Sequence, residues 1–140
     1  MKTVVATGVF DLLHPGHIFY LNNAKQLGDR LVVVVASDET VKKRNKKALV
    51  REKQRLEVVG ALKPVDDVVL GGESEHRFLE VIHQINPQII ALGPDQEFDE
   101  NTLRGRLLEH GVNAKIIRIK KRWKGQLNSS KKMREKAKSV

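Results

Sequence analysis

The chain has 140 residues, enough for one domain with a three-layer α/β core, and its 40% hydrophobic content predicts a globular fold and not a disordered chain. The absence of cysteine excludes a disulfide framework and a thiolate metal site, and no apolar run reaches the roughly 18 residues of a membrane span. Basic residues number 26 against 17 acidic, a formal charge of +9 gathered largely in residues 42–47 and 115–138, which points to anionic partners: nucleotides, phosphorylated metabolites or nucleic acid.

Residues 3–6 form an apolar run suited to a buried parallel strand. The run enters the chain directly, without a secretory leader, so a cytoplasmic, single-domain protein (1–140) is expected. The turn Gly8-Val9-Phe10-Asp11-Leu12-Leu13-His14-Pro15-Gly16-His17 follows, and then a helical pattern with Ile18, Leu21, Ala24 and Leu27 in step and Gly28 as its stop. Pro15 suits the first helical position, and His14 before it is pushed to an extended conformation. Gly16 lets a ligand approach the backbone. His14 and His17, three apart, face one way beside a helix start whose free N–H groups and dipole attract phosphate. A single histidine at a helix start is usually a cap or a surface residue. Two of them flanking Pro-Gly after a buried strand are a poor way to pack a core.

The string Gly8-Val9-Phe10-Asp11 with His14-Pro15-Gly16-His17 resembles the signature of the cytidylyltransferase-like nucleotidyltransferases, whose HxGH motif is shared with class I aminoacyl-tRNA synthetases. The resemblance covers nearly the whole chain and implies a role for these eight residues in holding the nucleotide. It assigns His14 and His17 to stabilising the transition-state oxygens.

Residues 31–36 predict a second buried strand, and Ser37 with Asp38 and Glu39 predicts a capped, short helix. Residues 42–47 lack apolar periodicity and read as a mobile basic loop, either a solvated charge run or a phosphate grip. The resemblance selects Lys43 and Lys46 for the second role, with Lys46 catalytic. Residues 51–63 predict a helix with Leu56, Val59 and Leu62 on its apolar face, ended by Pro64. On it Arg55 either orients the site, as the resemblance implies, or makes a surface ion pair.

A third strand is predicted at residues 67–70, then a helix striped by Phe78, Leu79, Ile82 and Ile85 and stopped near Asn86-Pro87. His76 and His83 on it are read as surface residues. Residues 89–92 predict a fourth strand, and Gly93-Pro94-Asp95-Gln96 lies at its C-terminal end, where open α/β sheets bind ligands. A proline-containing β-turn explains these four residues without any ligand. By resemblance Gly93 and Asp95 contact the nucleotide. Asp99 caps a fifth helix that ends at Gly111, and residues 114–119 predict the last strand.

Arg122, Gly125, Ser129 and Ser130 then match, loosely, the family's second signature, a basic residue and glycine before a Ser/Thr-rich helix start. The family's cytidylyltransferases carry Arg-Thr-Glu-Gly-Ile-Ser-Thr; here Trp123-Lys124 stands for Thr-Glu and the spacing is one residue longer. Asn128 or Ser129 as a helix cap accounts for the serines in structural terms. Trp123 either stacks on a base or flavin or packs against the sheet edge.

Alternating strands and helices predict an α/β fold of Rossmann-like, doubly wound type, with a parallel five-stranded sheet in the order 3-2-1-4-5 and helices on both faces. The switch point falls between strands one and four, so the histidine turn, Asp95 and the serine-bearing helix start should open onto one cleft. The phrases Gly93-Pro94-Asp95-Gln96 and Ala61-Leu62-Lys63-Pro64-Val65-Asp66 are most similar to archaeal FAD synthases. That likeness implies ATP as donor, FMN as acceptor and a divalent cation, Mg2+, carried by the nucleotide phosphates without a protein metal cage. Arg122 would then be catalytic, and Ser129 and Ser130 would hold phosphate. Transfer from CTP to glycerol 3-phosphate is the alternative within the family. A non-catalytic nucleic-acid-binding module is disfavoured by 4% aromatic content and the lack of a groove-reading motif. No membrane partner is expected. Homodimers are common in the family it resembles, and no residue pattern here decides one.

Overall fold

The computed structural model describes residues 1–96, 98–125 and 130–139, the side chain of Ser130 excepted. In chain order the elements are β1 (Thr3–Gly8), α1 (Pro15–Lys25), β2 (Arg30–Val35), α2 (Asp38–Lys43), α3 (Glu52–Gly60), β3 (Asp67–Leu70), α4 (Glu75–Ile85), β4 (Ile89–Leu92), α5 (Glu100–Glu109), β5 (Lys115–Arg118) and α6 (Ser130–Lys138). The five strands form one sheet in the order β3-β2-β1-β4-β5, with every pair parallel, as expected.

Alternation along the strands sends side chains to two cores. Val4, Ala6, Leu31, Val33, Val35 and Ala91 pack on one face with Leu21 and Ala24 of α1 and Val59 of α3. Val5, Val32, Val34, Ile90 and Leu92 pack on the other with Leu79 and Ile82 of α4 and Leu103 and Leu107 of α5. Burial on both faces is why these strands read as continuous apolar runs.

Several boundaries differ from expectation. β1 runs two residues further, because Thr7 and Gly8 stay in register with Val34 and Val35. The predicted helix over residues 51–63 is helical only over Glu52–Gly60; Leu62 and Val65 close it with turn bonds to Val59 O and Leu62 O. α1 ends at Lys25 with Gln26 as its cap, short of Gly28. The basic run is not all loop, since Lys42 and Lys43 form the last turn of α2 and the chain leaves at Asn45 with φ 56°. Among the described residues no helix is long and apolar enough to cross a membrane.

Candidate active site

The β1–β4 ladder ends at Ala6 and Ala91, and the histidine turn continues from the C-terminal end of β1. Beyond Gly8 the chain passes through Phe10, buried and left-handed at φ 55°. A left-handed backbone is uncommon for an aromatic residue and concentrates at functional sites. It folds the Phe10 ring over Gly8, where a Cβ would stand 2.8 Å from the ring. The glycine here thus makes room for Phe10, whose ring centroid lies 5.4 Å from that of His17.

His14 is the N-cap of α1, extended at φ −144° and ψ 168°, and Pro15 takes the first helical position. The Gly16 N–H donates to His14 Nδ1 at 3.0 Å, and the His14 N–H donates to His17 Nδ1 at 3.3 Å. The two ring centroids are 3.9 Å apart. The His17 N–H bonds to His14 O at 3.0 Å. The helix start therefore does not offer the free N–H groups expected of it; the two histidines and their backbone satisfy them. Because each Nδ1 accepts, each ring carries its proton on Nε2 and can donate from there. Both rings are held neutral: burial lowers His14, and burial first, then His14, pushes His17 down to about 4 against the pull of Asp11.

Asp11 is turned into the fold. Its carboxylate accepts the Leu49 N–H at 3.1 Å, the Val50 N–H at 2.9 Å and Arg134 of α6 at 3.0 Å. Val9 gives its carbonyl to Arg55 at 2.8 Å. Arg55 is 1% exposed, so it is no surface pair; it also binds Val50 O, Ala36 O and the Asp38 carboxylate at 2.7 to 2.9 Å. The loops leaving β1 and β2 are thereby tied to α3.

Three contributors escaped the sequence reading. The Tyr20 hydroxyl donates to Ala91 O at 2.7 Å and accepts the Thr7 N–H at 3.2 Å, bridging β1 and β4 where their ladder stops. Gln96 joins the same seam: its Nε2 donates to Thr7 O at 2.8 Å, and its Oε1 accepts the Gly93 N–H at 2.7 Å. Arg118, at the end of β5, donates to Gly93 O, Gln96 O and Phe98 O at 2.7 to 2.9 Å. A polar residue ending a strand or facing a seam was the available signal, and it carried no partner with it.

Gly93 is buried inside this network, while Asp95 is exposed and paired with Arg122 at 2.8 Å. Two residues expected at the nucleotide are thus brought together. Trp123 is half-buried, and with Leu13, His14, Pro15, Ile18, Phe19 and Asn22 it lines an open cavity of about 530 Å³. Its ring covers Gly125 and leaves no room there for a Cβ. A second cavity, about 460 Å³, opens at Thr7 and Gly8 on the α4–α5 side, with Phe78, Leu79, Phe98 and Leu103 as apolar walls. Lys43 lines it and donates to Glu73 O at 2.8 Å, and Arg44 lies over the Phe98 ring at 5.9 Å. Lys46 is exposed and does not line either cavity. Ser129 lies outside the described residues, and Ser130 begins α6. His76 pairs with Glu80 at 2.6 Å on α4, and His110 caps α5, so neither joins the site. Among the described residues no three His, Cys, Asp or Glu side chains are grouped to hold a metal.

The chain is similar to known proteins over nearly its whole length. Residues 5–136 match the cytidylyltransferase-like family. An FAD synthase of Methanothermobacter thermautotrophicus is 48% identical over 143 residues, covering 100% of this chain and 93% of that protein. An FAD synthase of Thermoplasma acidophilum is 48% identical over 136 residues, 97% of this chain and 94% of that one. A Thermoplasma volcanium crystal structure, described as a lipopolysaccharide core biosynthesis protein, superposes with a TM-score of 0.83 at 44% identity, covering 88% of this chain and 98% of its own. The chain belongs to the cytidylyltransferase-like family and is a nucleotidyltransferase.

Proposed function

We propose that the enzyme transfers AMP from ATP to the phosphate of FMN, giving FAD and pyrophosphate, in the cytoplasm. A phosphate oxygen of FMN attacks the α-phosphorus in line, a new P–O bond forms, and the bond from the α-phosphorus to the bridging oxygen of pyrophosphate breaks. The observation that carries this reading is the histidine pair: two neutral rings, oriented through Nδ1, with Nε2–H left to donate to oxygens that gain charge. Such reactions need positioning and charge stabilisation more than covalent help. The near-full-length likeness to FAD synthases supports the choice of acceptor.

His14 lines the cavity beside Trp123, and the other cavity opens at Thr7 and Gly8, at the end of the strand that leads into the histidine turn. The one beside Trp123 and Ile18 suits a stacked adenine, and the apolar one between α4 and α5 suits an isoalloxazine ring; both volumes fall in the range of small-ligand sites. In this reading Gly8, Val9, Phe10, Asp11, Pro15 and Gly16 shape the nucleotide seat. Lys43 and Lys46 hold phosphate with Ser129 and Ser130. Arg122 turns from Asp95 to the triphosphate, and Gly93 and Asp95 border the ribose and base. The described residues offer no cage for a divalent cation, so magnesium would arrive on the phosphates.

Incubation with FMN, ATP and magnesium, followed by chromatography of the flavins, tests the proposal. Conversion of FMN to FAD with release of pyrophosphate is expected. CDP-glycerol made from CTP and glycerol 3-phosphate, with no FAD from FMN, would overturn it.

A further inference from the structure

We infer that Arg134 is a positioning residue that sets α6 against the histidine turn and so determines how tightly the nucleotide is held. The inference rests on the nucleotidyltransferase reading and adds a residue outside both signatures.

α6 buries little side-chain surface. Of residues 131–139, only Met133 and Arg134 are partly buried; the rest are exposed and mostly basic. A helix without an apolar stripe gains little from burial, so its placement depends on specific polar contacts. Arg134 supplies one, with Nη1 at 3.0 Å from Asp11 Oδ2. The Asp11 side chain is 6% exposed and that of Arg134 32%, so water screens this pair less than it would an exterior pair.

The carboxylate on the other side of the bond is already fixed. The Leu49 and Val50 N–H groups hold it, and it stands three residues before His14 in the same turn. Three segments therefore converge on one group: the histidine turn, the end of the basic loop and the terminal helix. Since α6 begins at Ser130, wherever Arg134 seats the helix, its first turn follows.

The geometry also makes the inference separable from folding. Without Arg134, Asp11 keeps two backbone hydrogen bonds, so the turn persists while α6 loses its contact with Asp11. The test compares wild type, Arg134→Met and Arg134→Lys in full-length protein. It reads calorimetric binding of α,β-methylene-ATP, melting temperature, and the split between KM for ATP and kcat. Arg134→Met should bind the analogue about 10-fold more weakly, about 1.4 kcal/mol. KM for ATP should rise in step, with kcat at saturation and the melting temperature close to wild type, and Arg134→Lys should recover part of the loss. Wild-type affinity in Arg134→Met, a loss matched by collapse of the melting temperature, or failure of wild type to bind the analogue would each overturn the inference. A wild type that binds the analogue but makes no FAD removes FMN as acceptor and leaves the Arg134 comparison intact.

Discussion

His14 and His17 cap one helix turn reciprocally: His14 Nδ1 takes the Gly16 N–H, and His17 Nδ1 takes the His14 N–H. The same bonds that start α1 also fix which nitrogen of each ring faces outward. Structure and chemistry therefore share the two residues.

This coupling makes stability depend on pH. Folded His17 takes its proton only near pH 4, whereas an ordinary histidine takes it near 6.5. Between those values the unfolded chain holds more protons, so stability conferred by the neutral ring is whole above pH 6.5 and is lost as pH falls toward 4. For this group the loss is at most about 1.4 kcal/mol per pH unit and about 3 kcal/mol in all; His14 acts in the same direction. Urea midpoints of wild type and His17→Asn from pH 7 to 4 should fall with different slopes, the variant declining less steeply. Parallel declines would contradict the assignment.

Gly8→Ala should destabilise the protein by about 1 to 3 kcal/mol, because the new methyl meets the Phe10 ring at 2.8 Å and Phe10 is held at φ 55°. Thermal melting reads this directly. A neutral result would mean that Phe10 can leave its place without cost.

Arg55→Met leaves the Asp38 carboxylate and the carbonyls of Val9, Ala36 and Val50 without their shared guanidinium. A cost of about 3 to 5 kcal/mol in urea unfolding is expected. Arg55→Lys should restore little, since one ammonium cannot reproduce the planar fork.

Tyr20→Phe removes the hydroxyl that bridges Ala91 O and the Thr7 N–H. About 1 to 3 kcal/mol of stability should go with it. KM for FMN should rise as well, because Thr7 and Gln96 of this seam line the cavity assigned to the isoalloxazine; unchanged kinetics would separate the seam from the site.

Much of the fold was readable because parallel strands buried on both faces betray themselves as valine- and isoleucine-rich runs. The turn from Gly8 to His17 was readable because its residues have few other uses. What escaped was assembled by topology. Arg118 gathers carbonyls from the loop after β4, and the carbonyls of the β1 and β2 loops that Arg55 gathers were as hidden, although Arg55 itself was read as orienting the site or pairing at the surface. An arginine among surface charges gives no sign of such partners. The helix-start N–H groups were misjudged for a similar reason: a histidine read as a phosphate ligand was also the cap. Arg122 with Asp95 shows the opposite case, two residues read separately that face each other.

The most direct measurement is FAD formation from FMN and ATP by wild type and by His17→Asn, with both shown folded by melting. The asparagine can accept the His14 N–H but has no imidazole Nε2–H to offer the reacting phosphate. Wild type should make FAD, and the variant should turn over about 100- to 1,000-fold more slowly. Equal rates in the two proteins would contradict catalysis by the histidine pair.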